Sequence, residues 1–128
     1  TRFRNVTGVQ TCALPIWAAN LTGLVLANLV ANAIEASPRG ARVTVSATPA
    51  GSAVVFRVSD QGGGLRPEVK AALFEPVSSR KPRGTGVGLA ISRRLARHAA
   101  GDLLLERTGP DGTVFALSVP SWSPPKAA

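Results

Sequence analysis

Residues 16 to 34 carry no charged side chain, and this run limits the fold more than any other stretch of the chain. A charge-free run of that length either spans a bilayer or lies buried in a soluble core. Asn20, Thr22, Asn28 and Asn32 interrupt it, and two amides near the middle of a membrane helix are costly without partners. The better reading is a buried soluble helix of Trp17 to Ser37, stopped by Pro38 and Gly40. Asn28, Asn32 and Glu35 then fall at i, i+4 and i+7, on one face. A buried amide without partners costs a few kcal/mol, so polar groups there need a reason.

Beyond the helix the period changes. Ala41 to Thr48 sets Val43 and Val45 against Arg42, Thr44 and Ser46, and Ala53 to Asp60 sets Val54, Phe56 and Val58 against Arg57 and Ser59. With Pro49-Ala50-Gly51 as the turn, this predicts an antiparallel hairpin with one face buried. Residues 61 to 85 are rich in Gly, Pro, Ser and Arg, with a short helical pattern at Pro67 to Phe74; a loop that long is usually functional or mobile. Gly86 to Ala100 reads as a second helix, with Val87, Ile91 and Leu95 facing in, Arg93, Arg94 and Arg97 facing out, and Gly101 as its cap. Asp102 to Arg107 and Thr113 to Val119 form a second hairpin around Gly109-Pro110-Asp111-Gly112. The order predicts an α+β fold, helices on one face of a mainly antiparallel sheet.

A chain of 128 residues fits one domain. Fifteen Lys and Arg against seven Asp and Glu give a net charge of +8, which points to anionic partners. Nucleic acid is a poor fit, because no aromatic side chains interleave Arg80 to Arg97. The single cysteine, Cys12, excludes an internal disulfide framework, and the single histidine, His98, excludes a Cys/His zinc site. Residues 1–16 have no clean period and lack the apolar stretch of a signal peptide. Their run RNVTGVQTCALPI resembles translated sequencing adapter. They are therefore set aside as a non-native leader or linker, with the domain expected over 17–120 and a disordered tail over 121–128.

Chemistry collects at three places. Asp60, expected at a sheet edge, leads into Gln61-Gly62-Gly63-Gly64. A buried carboxylate is acceptor-only and suits the exocyclic amine of a purine, and glycines let a flat base slide against main chain. Gly84-Thr85-Gly86-Val87-Gly88 opens the second helix, where free N–H groups and the positive dipole end favour phosphate. Asn32 offers a carbonyl oxygen, suited to a Mg²⁺ that keeps most of its waters and bridges phosphates. Arg80, Lys81 and Arg83 precede the glycines as charge-assisted donors. The glycine run is neither a Walker loop nor G-x-G-x-x-G, since Leu89 stands where the third glycine belongs.

Together these pieces resemble a known family. Asn28 to Ala36 looks like the N box of the GHKL ATPases, and Asp60-Gln61-Gly62-Gly63-Gly64-Leu65 like their first glycine box. Leu73-Phe74-Glu75-Pro76 resembles the F box of sensor histidine kinases, Gly84 to Ile91 their second glycine box, and Gly112 to Leu117 their closing strand. The resemblance implies a Bergerat α/β sandwich with a mixed, mainly antiparallel sheet and ATP under a flexible lid. It makes Asn32 the Mg²⁺ ligand and Asp60 the adenine ligand. Gly62 and Gly64 would shape the base pocket, and Thr85, Gly86 and Gly88 would flank the phosphates, with Gly84, Val87 and Leu89 in the same segment.

Within the superfamily, members that hydrolyse ATP carry a Glu where this chain has Asn28. An amide cannot take a proton at neutral pH, so water activation loses its base. Histidine kinases instead pass the γ-phosphoryl to a histidine, and the domain mainly positions and neutralises. Glu35 stands where many of them have a basic residue, a variant similar to the nitrogen-regulation type, so Arg80 or Lys81 are expected to supply that phosphate contact. No phosphoacceptor histidine with an acidic neighbour is present, and the family's first strand would precede Leu21. An open sheet edge and a partly uncovered apolar helix face are therefore expected.

The resemblance thus implies the ATP-binding part of a two-component sensor histidine kinase, cytoplasmic, in a parent whose anchoring is left open. Its partners would be ATP, the parent's dimerisation domain and, indirectly, a response regulator, with no nucleic acid and no membrane contact. An anti-sigma-type serine/threonine kinase and a degenerate nucleotide-binding module are the alternatives.

Overall fold

The computed structural model describes residues 16–75 and 88–121. Helix α1 spans Ile16–Ala36. The Ser37 amide still bonds the Ala33 carbonyl at 3.1 Å, and Pro38 ends the helix because its ring disfavours helical backbone in the residue before it. By length and composition α1 is apolar enough to cross a membrane. However, Ala18, Thr22, Val25, Leu29 and Ala33 are buried at helical spacing, as the core stripe of a soluble helix. The Thr22 hydroxyl within that stripe has no hydrogen-bond partner among the described residues.

Strands β1 (Thr44–Ala50), β2 (Ala53–Ser59), β3 (Asp102–Gly109) and β4 (Gly112–Pro120) form one sheet in the order β1-β2-β4-β3. All three pairings are antiparallel, so the mainly antiparallel expectation holds and no parallel pair occurs among the described residues. Register makes the core. Val45, Val58, Phe115 and Leu105 lie side by side across the strands, and Ala47, Phe56, Leu117 and Leu103 form the next row. Alternation then sends Thr44, Ser46, Arg57 and Ser59 to the opposite face. A bulge between Leu105 and Arg107 adds Glu106, whose carboxylate accepts from Arg57 Nε at 3.0 Å on both oxygens.

The first hairpin turns one step later than expected, at Gly51-Ser52, and Pro49 is a residue of β1. Its missing N–H is tolerated because β1 is an edge strand. Helix α2 is short, Pro67–Ala71, with Pro67 in its first turn.

Helix α3 spans Leu89–His98 with Gly88 as its N-cap, so it starts later than Gly86. It is also rotated from the expected phase. Ser92, Ala96 and Ala99 are buried, while Ile91 is 47 % exposed and Leu95 only half-buried. Small side chains let α3 lie close on α1, and a branched Ile in that seam would hold the helices apart. Both helices cover the same sheet face, with α1 on β2 and β4, and α3 on β3 and β4. Leu24 (59 % exposed) and Ile34 (50 %) remain uncovered on α1, in line with the expected apolar face.

Candidate functional site

Asp60 follows directly on β2, a central strand rather than the expected sheet edge. It is 8 % exposed. Its Oδ1 accepts from the Gly62 amide at 2.9 Å and the Thr113 amide at 3.1 Å, and its own amide donates to the Thr113 carbonyl at 2.9 Å. Oδ2 accepts from no described residue. The carboxylate is therefore oriented by neutral backbone donors on one oxygen, leaving an acceptor for a ligand.

Glycines build this cradle by permitting close backbone approach. A Cβ on Gly112 would stand 2.0 Å from the Asp60 carbonyl oxygen, and Gly112 has φ +133°. A Cβ on Gly64 (φ +88°) would stand 2.5 Å from the Gly109 carbonyl. At Gly62 it would meet the Ala36 carbonyl of α1 at 2.6 Å. Gly62 thus presses against the end of α1, and Gly64 against the β3–β4 turn. Gly63 faces open space.

Those contacts place α1 beside the carboxylate. The Gln61 amide donates to Ser37 Oγ at 3.2 Å, and Gln61 Oε1 accepts from the Arg42 amide at 2.8 Å. Asn32 lies one helical turn back from Ala36 on the same face and is half-buried. One further turn back, Asn28 is 4 % exposed and donates Nδ2 to Ser92 Oγ at 2.6 Å. Ser92 is in the first turn of α3, its amide bonded to the Gly88 carbonyl at 3.0 Å. From carboxylate to glycine-led helix, the order is Asp60, the end of α1, Asn32, Asn28, then the start of α3. Asn28, Asn32 and Glu35 share a face as expected, but burial grades along it: Asn28 buried, Asn32 intermediate, Glu35 exposed.

Gly88 caps α3 without a side chain, and Leu89 opens it half-buried. Arg80, Lys81, Arg83, Gly84, Thr85, Gly86 and Val87 lie outside the described residues, as does Pro76. Leu73 and Phe74 pack on the core cluster. No group of three or more His, Cys, Asp or Glu is assembled to hold a metal among the described residues. Asn32 offers one half-buried amide whose oxygen is a hard donor.

Several participants escaped sequence reading. Thr113 supplies both an amide and a carbonyl to Asp60, and its hydroxyl shares a 2.9 Å hydrogen bond with that of Thr108. Thr108 Oγ1 in turn accepts from the Leu65 amide at 2.8 Å, fixing the glycine loop to β3. Only the step from Gly112 to Thr113 signalled this, a glycine before a β-branched residue at a strand start. Ser92 carried one cue, a small polar residue in an apolar frame.

The family model described as "Histidine kinase-, DNA gyrase B-, and HSP90-like ATPase" matches residues 19–123. Sporulation kinase C of Bacillus subtilis is 36% identical over 96 residues, covering 75% of this chain and 22% of that protein. The C4-dicarboxylate transport sensor protein DctS of Rhodobacter capsulatus is 39% identical over 100 residues, 75% of this chain and 15% of that protein. The chain thus spans less than a quarter of either relative's length. Among solved structures, the catalytic domain of the histidine kinase ThkA superposes with a TM-score of 0.70 at 30% identity, covering 80% of this chain and 67% of that one. The mycobacterial sensor histidine kinase MprB gives 0.65 at 27% identity, covering 80% and 72%. The chain belongs to the histidine kinase-, DNA gyrase B- and HSP90-like ATPase family, and within it has the fold and motifs of a sensor histidine kinase catalytic domain.

Proposed function

We propose that this domain binds Mg-ATP between Asp60 and the start of α3 and donates the γ-phosphoryl to a histidine on a separate dimerisation domain of its parent kinase. The observation that carries the reading is the Asp60 carboxylate, buried, oriented through Oδ1 by two backbone amides beside the end of α1, with Oδ2 accepting from no described residue. Oδ2 accepts the adenine amine. Asn32 would hold Mg²⁺ through its amide oxygen, and the ion would supply charge neutralisation beside the phosphates. The uncapped first turn of α3 and the basic residues Arg80 and Lys81 take the triphosphate.

Asn28 belongs to this machinery as a positioning residue, because its amide is spent on Ser92 and sets α3 against α1. It supplies no base, so water is not activated and the phosphoryl is kept for an incoming imidazole. The domain works in the cytoplasm, with a response regulator served indirectly and no role for nucleic acid or for membrane contact. Residues 17–120 form the working unit, preceded by a leader and followed by a tail.

Incubating the domain with labelled ATP and a dimerisation domain carrying a phosphoacceptor histidine tests the reading. Phosphate that is lost in acid and kept in alkali is expected on the acceptor. Acid-stable label on a serine or threonine would move the reading to the anti-sigma type. ATP binding without transfer to either acceptor would leave a binding module.

A further inference from the structure

Arg93 joins three elements. Its Nε donates to Asp102 Oδ1 at 3.1 Å, and its guanidinium carbon stands 4.7 Å from the centroid of the Phe74 ring. Asp102 begins β3 and also receives its own strand's Leu103 amide at 2.9 Å and, at 3.4 Å, Arg97 Nε. Chain order gives this placement its weight. The chain enters the arginine- and glycine-rich stretch just after Phe74 and leaves it at Gly88. Phe74 rests on Arg93, and the Gly88 carbonyl accepts from the amide of Ser92, the neighbour of Arg93. One turn of α3 therefore holds both Phe74 and Gly88, while Ser92 secures the same turn to α1.

We propose that Arg93 is a positioning residue for the triphosphate: held by Asp102, it fixes Phe74 and the first turn of α3 in one frame, without touching nucleotide. Half-buried, hydrogen-bonded through Nε to a carboxylate and stacked over a ring, the guanidinium has few alternative rotamers, so it behaves as a strut rather than as a solvated charge. The proposal rests on the ATP-binding reading and adds the residue that sets its phosphate end. Because Asp60 lies at the other end of the site, the adenosine part of the ligand should not sense Arg93.

The test measures ATP and adenosine affinities side by side for the wild type, Arg93→Met, Arg93→Lys and Asp102→Asn, with thermal unfolding of each. Arg93→Met keeps the stem and loses the fork; ATP affinity is expected to fall about fivefold, on the scale of one cation–π or charged contact, with adenosine unchanged. Asp102→Asn should show the same selectivity at about twofold, because Asn still accepts one N–H. Arg93→Lys should recover part of the loss, since an ammonium still sits over a ring. Equal losses for ATP and adenosine would overturn the proposal, as would unchanged ATP affinity. A wild type that binds neither ligand would overturn the nucleotide reading itself. If Arg93→Met does not fold, Asp102→Asn and Arg93→Lys separate the same outcomes.

Discussion

Two aspartates stand near opposite ends of β4, Asp60 bonded to Thr113 and Asp102 paired with Ser118, and they are held by different chemistry. Asp60 is enclosed and takes only neutral backbone donors, which orient it without cancelling its charge. Asp102 is half-exposed and takes two guanidinium groups, Arg93 and Arg97. Burial works to raise the Asp102 carboxyl, but the Arg93 hydrogen bond, the Leu103 amide and the charges of Arg93 and Arg97 outweigh it and hold the group below the usual carboxylate range. A carboxylate fixed by amides remains available to a cationic or amine ligand. One fixed by arginines has already been neutralised, and it acts through the arginine it holds.

Each aspartate has a glycine pressed against backbone nearby, and the largest expected effects lie there. A Cβ at Gly112 would stand 2.0 Å from the Asp60 carbonyl, and one at Gly101 would stand 1.9 Å from the Ser118 carbonyl. Gly112 carries in addition φ +133°, which a side chain rarely adopts. Gly112→Ala should lower unfolding free energy by about 3 kcal/mol or more, read by denaturant titration, with Gly101→Ala close behind. Gly63→Ala, facing open space, is the control and should change little. A Gly112→Ala protein as stable as the wild type would mean that backbone does not hold Asp60 in place.

Folding treats the two ends alike; binding should not. In Asp60→Asn the remaining oxygen still accepts from Gly62 and Thr113, so stability should be nearly kept. The charged acceptor for the ligand is lost, and adenosine affinity is expected to fall at least about tenfold, the scale of one hydrogen bond to a charged group. Asp102→Asn should leave adenosine affinity unchanged. Equal adenosine affinity in wild type and Asp60→Asn would remove Asp60 from the base site.

Asp102 should reveal itself in pH instead. Its folded carboxyl is depressed, so the stability it contributes is full above the unfolded value of about 3.9 and is lost as pH falls through the lower folded value. The stability gap between wild type and Asp102→Asn should accordingly be present at neutral pH and close below about pH 4. Its size should be only about 0.5–1 kcal/mol and shrink in high salt, because a side chain 37% exposed is screened by solvent. A gap that widened on acidification would contradict the ion-pair account.

Sequence legibility also divided along this line. The Asp60 end could be read because its signals are local: a strand ending in a carboxylate, then glycines, with a charge-free helix carrying paired asparagines. The Asp102 end could not, because its partners are brought together by the phase of α3. Hydropathy favoured the stripe Val87, Ile91 and Leu95 as the inner face. Packing selected Ser92, Ala96 and Ala99 instead, since close approach of α3 to α1 depends on small volume and on the Asn28–Ser92 bond more than on apolar area. That rotation brings Arg93 onto Phe74 and Asp102, out of the solvated face assigned to it. Thr113 and Thr108 went unread for a related reason: their hydroxyl bond joins the two strands of a hairpin at a register that only the turn defines.

The smallest expected effect tests the join between α3 and Asp102. Gly101 is the glycine a helix end asks for, yet the left-handed residue is Ala100, with φ 61°. The Gly101 amide bonds the Ala96 carbonyl at 2.9 Å and the Ala100 amide bonds that of Arg97 at 3.0 Å, which together make a Schellman cap with Ala100 at its left-handed position. Gly101 must stay glycine for the separate reason that Ser118 leaves no room for a Cβ. Two adjacent demands, one for conformation and one for space, therefore fall on one glycine and one alanine. Ala100→Gly should relieve the strain, but the greater freedom of glycine when unfolded offsets most of the gain, leaving a net stabilisation of roughly a few tenths of a kcal/mol. Thermal unfolding would read this as a small upward shift with nucleotide affinity unchanged. If Ala100→Gly weakened ATP binding while raising stability, the strained residue would be helping to hold Arg93 over Phe74, and the Asp102 end would be tuned for position at the expense of stability.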